Sequence, residues 1–165
     1  MPLLKPDRYF SRITKIDPRE DIKKLNIDFL FLDVDNTILP RDTRQVPQDI
    51  KAWLEDLKNS GLKICLLSNS LKEGVKDFAK TLDLPVLTGS LKPSPSAFIR
   101  AFKKMGARSK NSLLIGDQVF TDSLGAHLVG MKCYMVLPLS EFDLPHTLFF
   151  RTFEKFVLKN KKLEK

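Results

Sequence analysis

The stretch Phe29-Leu-Phe-Leu-Asp-Val-Asp-Asn-Thr-Ile-Leu-Pro40 runs four large apolar residues straight into two carboxylates one residue apart. A short apolar run of this kind suits a strand buried on both faces, as in a parallel sheet. Buried charge is costly unless it is paired or shares a cation. The two carboxylates therefore belong at the strand's exit, where the chain turns before Pro40.

The pattern repeats along the chain. Strands are expected at residues 29–33, 63–68, 85–87, 113–116 and 133–137, alternating with helices at 48–59, 73–82, 94–105, 121–129 and 145–159. In the first helix Ile50, Trp53, Leu54 and Leu57 share one face, and Gly61 follows as a stop signal. Alternating strands and helices predict an α/β fold: a three-layer αβα sandwich on a parallel, Rossmann-like sheet.

The 165 residues contain no repeat, low-complexity run or Gly/Ser linker, so one domain over residues 1–165 is expected. Its core is placed at about 28–137, with an extension at 1–27 and a further helix at about 145–160. No run of eighteen uncharged apolar residues occurs and the first residues do not resemble a signal peptide, which predicts a cytoplasmic protein. Cys65 and Cys133 each lie in an apolar run and read as reduced core residues. The net charge of +8 favours an anionic partner, whether nucleic acid, phospholipid surface or phosphorylated substrate, without choosing among them.

Parallel crossovers bring the carboxyl ends of the strands to one edge of the sheet, where ligands bind. Polar residues that follow the strands should meet there: Asp33 and Asp35, Ser68 and Asn69, Lys92, and Asp117 with Asp122. Four carboxylates in one place repel one another unless positive charge sits among them. An oxygen-rich site with room for water and phosphate suits Mg²⁺. Lys92 adds a point charge for phosphate, and the Ser68 hydroxyl and nearby backbone N–H groups can hold phosphate oxygens. The set reads as phosphoryl chemistry, in which one strand-end carboxylate attacks phosphorus and its neighbour handles the leaving group's proton. Blander readings sit beside this one. Asp122 also suits a helix cap, His127 and His146 read as surface or helix residues, and Trp53, Phe98 and Phe102 read as core.

Asp33-Val-Asp-Asn-Thr37, Ser68, Lys92-Pro93 and Gly116-Asp-Gln-Val-Phe-Thr-Asp122 stand in the order and spacing of the four motifs of the haloacid dehalogenase phosphatases, which the chain resembles over residues 28–137. The resemblance implies Asp33 as a nucleophile forming an aspartyl phosphate. It implies Asp35 as acid and base with a backbone carbonyl on Mg²⁺, and Asp117 as a metal ligand. Asp122 and Thr37 would form an outer shell, with Ser68, Asn69 and Lys92 on the substrate phosphate. Residues 38–67 and 69–91 are too short for the cap domain usual in that family, so an open site is expected. Among uncapped members the chain is similar to the YqeG group, related to mitochondrial phosphatidylglycerophosphate phosphatases, through Pro6-Asp-Arg-Tyr9, Ile16-Asp17 and Ser68-Asn-Ser70 as well. This implies a phospholipid phosphate as substrate and peripheral contact with the inner face of the membrane. A soluble phosphorylated metabolite or protein, or a non-catalytic anion- or RNA-binding role, stays open as an alternative, although the complete motif set argues against nucleic acid.

In the last predicted helix Phe149, Phe150, Phe153, Phe156 and Val157 fall on one face and Arg151, Lys155, Lys159 and Lys162 on another. Such a basic amphipathic helix can lie in an anionic membrane interface or cover the sheet of its own domain; packing on the domain is expected, with the basic face left outside.

Overall fold

The computed structural model describes residues 2–71, 73–141, 153, 154, 156–159 and 161–164. Strand β2 (Phe29–Leu32) is buried along its whole length. Alternation sends Leu30 and Leu32 into one apolar cluster and Phe29 and Phe31 into another. The neighbouring strands β3 (Lys63–Leu67) and β5 (Ser112–Gly116) pair parallel to β2 on its two sides and sort their residues in the same way. Helices α1 (Gln48–Asn59) and α2 (Glu73–Thr81) cover the first cluster, through Ile50, Trp53, Leu54, Val75 and Ala79. Helices α3 (Pro95–Met105) and α4 (Leu124–Leu128) cover the second, through Ala97, Phe98, Ala101 and Ala126. Three layers result.

Strands β1 (Arg8–Phe10), β4 (Val86–Leu87), β6 (Lys132–Val136) and β7 (Leu163–Glu164) complete a parallel sheet in the order β4-β3-β2-β5-β6-β1-β7. The five strands and first four helices expected from the sequence all form, within a few residues of their expected bounds. The fourth helix differs in detail. It opens with a π-helical turn, Val119–Ser123, before becoming α-helical.

Both ends of the chain contribute more than their sequence suggests. Residues 8–10 are not a mere extension, because they add a strand beside β6, and residues 163–164 add another beside β1. Arg8 fastens this edge. Its guanidinium is bidentate to the Glu164 carboxylate, donates to Asp21 at 2.5 Å and lies 4.6 Å above the Phe10 ring. Trp53 Nε1 donates to the Ile16 carbonyl at 2.7 Å, which ties the same segment to α1.

Much of the expected last helix, including His146, Phe149, Phe150 and Arg151, lies outside the described residues. The described part, residues 153, 154 and 156–158, is helical but turned from the expected face. Glu154, Val157 and Leu158 face the domain, whereas Phe153 and Phe156 are exposed. The reason is a hydrogen bond. The Glu154 carboxylate is buried and accepts from the Val119 N–H at 2.7 Å. Cys65 and Cys133 are free and buried. Among the described residues no helix is long and apolar enough to cross a membrane.

His127 on α4 joins this region to the N-terminal segment. Its Nδ1 lies 2.8 Å from the Leu3 carbonyl and its Nε2 3.2 Å from the Asp7 carboxylate. Both neighbours are acceptors, so the doubly protonated ring satisfies both. The Asp7 hydrogen bond raises the His127 pKa above its ordinary 6.5, against burial and with help from Leu3. Lys132 and Lys161, near Asp7, are the other charged groups in contact. A raised folded-state pKa contributes stability that is complete below pH 6.5 and is lost as pH rises through the folded value. The melting temperature of the wild type should therefore fall relative to that of His127→Gln as pH is raised from about 6 to about 8.5. Parallel curves for the two proteins would show that the clamp is not charged.

Candidate active site

Asp33 leaves β2 while its N–H still donates to the Ile115 carbonyl of β5 at 2.9 Å, so the sheet holds its backbone. The turn that follows needs a left-handed residue, and Asn36 supplies it at φ 61°. The Asn36 side-chain oxygen accepts from Arg41 N at 3.2 Å and Ser140 Oγ at 2.8 Å, and its carbonyl accepts from Leu139 N at 2.9 Å. The turn after β2 is thereby tied to the segment after β6.

Asp117 and Asp122 come from the exit of β5. Gln118 N donates to the Asp122 carboxylate at 3.1 Å, which folds Asp122 back toward the strand end. It comes so close that a Cβ on Gly116 would lie 2.4 Å from its carboxyl carbon, so only glycine fits there. One carboxylate oxygen each from Asp33, Asp117 and Asp122 lies within 4.8 Å of the others. Thr37 Oγ1 stands 3.4 Å from both Asp33 and Asp117. Asp122 thus stands in one cluster with Asp33 and Asp117.

Lys92 enters from the loop between β4 and α3. Its ammonium is 2.5 Å from Asp33 Oδ1 and 2.6 Å from Asp122 Oδ1. Burial works against this charge, but Asp122 and Asp33 outweigh it and hold the Lys92 pKa above the ordinary lysine value. Asn69, after β3, sets the position of the loop. Its side-chain oxygen accepts from Lys92 N and Ser90 Oγ, both at 2.7 Å, and its amide donates to the Lys92 carbonyl at 3.1 Å. The Asn69 amide is thus engaged with the backbone that carries Lys92. Ser68 is buried beside it, with its hydroxyl accepting from Ser70 N at 3.1 Å.

Three carboxylates face one ammonium, an excess of two negative charges in a buried place. Burial pushes the Asp33 carboxyl up to about 8, with Lys92 pulling against the rise and Asp122 and Asp117 adding to it. A divalent cation with a preference for hard oxygen fits this donor set in charge and in chemistry. Asp33 keeps 8% of its surface, against 2% for Asp117 and 1% for Asp122, so it is the carboxylate a ligand can reach.

The Asp35 carboxylate is outside the cluster. It pairs with Arg44 at 2.7 Å, at the protein surface, on the open segment between β2 and α1. Sequence reasoning missed Arg44, as it missed Glu154 and the bracing role of Asn69. No motif marks an arginine nine positions from its partner, although an asparagine between an aspartate and a threonine at a turn does signal a left-handed residue. Between β2 and β3 the chain holds only this segment and α1, and between β3 and β4 the described residues hold only α2. Among the described residues neither interval holds a cap domain.

A family model described as haloacid dehalogenase-like hydrolase matches residues 7–130. The chain is 32% identical over 153 residues to a protein of Bacillus subtilis named "Probable phosphatase YqeG", covering 93% of this chain and 88% of that one. It is 30% identical over 98 residues to the glyceraldehyde 3-phosphate phosphatase of Pyrococcus furiosus, over 54% of this chain and 40% of that protein. The fold matches the cobalt-bound deoxy-D-mannose-octulosonate 8-phosphate phosphatase of Haemophilus influenzae with a TM-score of 0.56, at 17% identity, covering 83% and 90% of the two chains. The strand-end carboxylates, their lysine and the parallel sheet that assembles them accompany this likeness, and the chain belongs to the haloacid dehalogenase-like hydrolase family.

Proposed function

We propose that the protein is a Mg²⁺-dependent phosphomonoesterase that works through an aspartyl phosphate on Asp33, with phosphatidylglycerophosphate at a membrane surface as its substrate. The observation that carries the catalytic reading is the unequal exposure of the cluster. Asp33 is the least buried of the three, while Asp117 and Asp122 are closed in behind it, as a nucleophile and its supports require. The phosphatase names of the relatives support the reaction class.

In this reading the free Asp33 oxygen attacks phosphorus and the bond from phosphorus to the substrate oxygen breaks. The departing oxygen takes a proton from Asp35. Water then attacks the aspartyl phosphate and gives its proton back to Asp35, which releases phosphate and restores Asp33. The Lys92 ammonium, already 2.5 Å from Asp33, lies where it can meet the phosphoryl oxygens as charge moves onto them. Ser68 and the turn N–H groups hold those oxygens from the other side. The Asp33 and Asp117 carboxylates and the Asp35 carbonyl, with Asp122 beside them, would hold Mg²⁺, which would offset the excess negative charge of site and substrate.

Asp35 reaches this role by leaving Arg44. Their side chains are partly exposed, 21% and 45%, and surface ion pairs of this kind contribute only about 0–1 kcal/mol. The exchange is therefore within reach of a substrate anion that takes Arg44 in its place. An uncapped site suits a phosphate presented on a surface, and a charge of +8 draws the protein to anionic lipid.

Asp33→Asn should lower turnover of p-nitrophenyl phosphate about a thousand-fold or more while the protein stays folded by circular dichroism. Asp35→Asn should lower turnover of alkyl phosphates, whose poor leaving group needs the proton, more than that of the aryl ester. Wild-type rates in either variant would remove the assigned role. Mg²⁺ at about a hundred times its Kd should stabilise the wild type by about 2.7 kcal/mol in thermal unfolding, and Asp117→Ala should lose most of this gain. With a substrate panel, turnover of soluble phosphomonoesters far above that of phosphatidylglycerophosphate in mixed micelles would end the lipid reading and leave the phosphatase standing.

A further inference from the structure

Large apolar side chains are exposed in several places, Ile99 on α3 and Leu128 on α4 among them. Leu71, Leu91 and Leu137 follow β3, β4 and β6 and so stand at the carboxyl edge of the sheet, where the cluster opens, and Phe153 and Phe156 are exposed as well. Leu71 follows Ser68 by three positions and is 79% exposed, and Leu91 directly precedes Lys92 and is 67% exposed. The two loops touch. A Cβ on Gly89 would fall 2.3 Å from Leu71 Cδ2, so this side chain lies over the glycine of the next loop.

Leu91 also holds a left-handed backbone at φ 62°, a conformation that leucine seldom takes. No burial repays that strain, since the side chain stands in solvent. On the far side of the cluster, the Phe153 ring lies 5.4 Å from Phe120 and 6.3 Å from Phe156. The Glu154 bond to Val119 N fixes that pair beside the turn after Asp117. Two small apolar tips thus flank the opening of the site.

Basic side chains stand among them. Arg100 donates to the Gly89 and Ser90 carbonyls just behind Leu91, at 3.2 and 3.0 Å, and Arg41 and Arg44 lie on the segment after β2. We infer that this edge is a docking surface for an anionic bilayer, with Leu71 and Leu91 entering the interface on one side of the site and Phe153 and Phe156 on the other. Separated apolar tips with arginines beside them, on a chain of charge +8, match the layered chemistry of a membrane interface, with anionic headgroups outside and acyl chains beneath. A protein partner would instead need a continuous apolar patch at its centre. Docking here sets the open cluster against the headgroups. The inference deepens the lipid-phosphatase reading, but binding itself does not depend on catalysis.

Cosedimentation with vesicles tests it. Wild-type protein should bind vesicles of phosphatidylglycerol and phosphatidylcholine and lose binding to phosphatidylcholine alone. The Leu71→Ser/Leu91→Ser double variant should bind the mixed vesicles about ten-fold more weakly or worse while hydrolysing p-nitrophenyl phosphate at the wild-type rate. Leu91→Gly should weaken binding while its melting temperature stays level or rises, because glycine relieves the backbone, and this separates lost docking from damaged folding. No binding by the wild type, or equal binding by the double variant, would overturn the inference. So would dimerisation of the wild type that the leucine substitutions abolish, which would assign the edge to a second copy of the chain. Failure of p-nitrophenyl phosphate hydrolysis alongside intact vesicle binding would sink the phosphatase reading alone.

Discussion

A buried ammonium held between two carboxylates is the interaction on which this site depends. Taking a charge of this size out of water costs several kcal/mol even after the protein relaxes, and only close, well-directed partners offset that cost. Lys92 has such partners at 2.5 and 2.6 Å, one from the exit of β2 and one from the turn after β5. It therefore ties together two strand ends that hydrogen bonding in the sheet has already placed side by side. Asn69 keeps the arrangement rigid by bonding both the N–H and the carbonyl of Lys92, which leaves the lysine backbone little freedom to withdraw. Packing enforces the same closeness: Gly116 leaves room for Asp122, and Gly125 lets α4 approach to where a Cβ would meet the Phe98 ring at 2.6 Å.

The same cluster is under electrostatic tension. With one ammonium among three carboxylates, Asp33 is pushed toward its protonated form, and a protonated carboxyl is a poor nucleophile. Added positive charge would reverse this preference, so under the proposed mechanism a cation in the site would favour the ionised Asp33. Such a site gives up stability for function, and the apolar stem of β2, buried along its length, is what lets the fold tolerate the loss.

Most of the central fold was legible in the sequence because its signals are local. The run at 29–32, the amphipathic spacing of Ile50, Trp53, Leu54 and Leu57, and the motif residues at strand exits all announce their place in the fold within a few positions. What escaped notice depends on distant partners. Strands β1 and β7 are three and two residues long, too short for alternation to register, and they exist because β6 offers an edge and Arg8 clasps Glu164 across 156 positions of sequence. The face of the last helix was misjudged because counting apolar residues favours the phenylalanines. The buried partner is Glu154, whose carboxylate answers a backbone N–H that no periodicity reveals. Asn69 was legible as a polar residue at a strand exit but not as the brace of Lys92, 23 positions away.

The absence of a cap turns the problem of water exclusion outward. Capped enzymes close over the substrate and so strengthen every charge interaction inside. Here Asp33 is the least buried of the three carboxylates, Asp35 is paired with Arg44 at the surface, and the segment between β2 and α1 that carries both Asp35 and Arg44 lacks regular structure. A surface that covers the open edge would supply what a cap supplies elsewhere. It would lower the dielectric around Asp33 and Lys92, and its anions would compete with Asp35 for Arg44. The exposed leucines beside Ser68 and Lys92 make sense in those terms, since an apolar side chain in solvent contributes nothing until something lies over it.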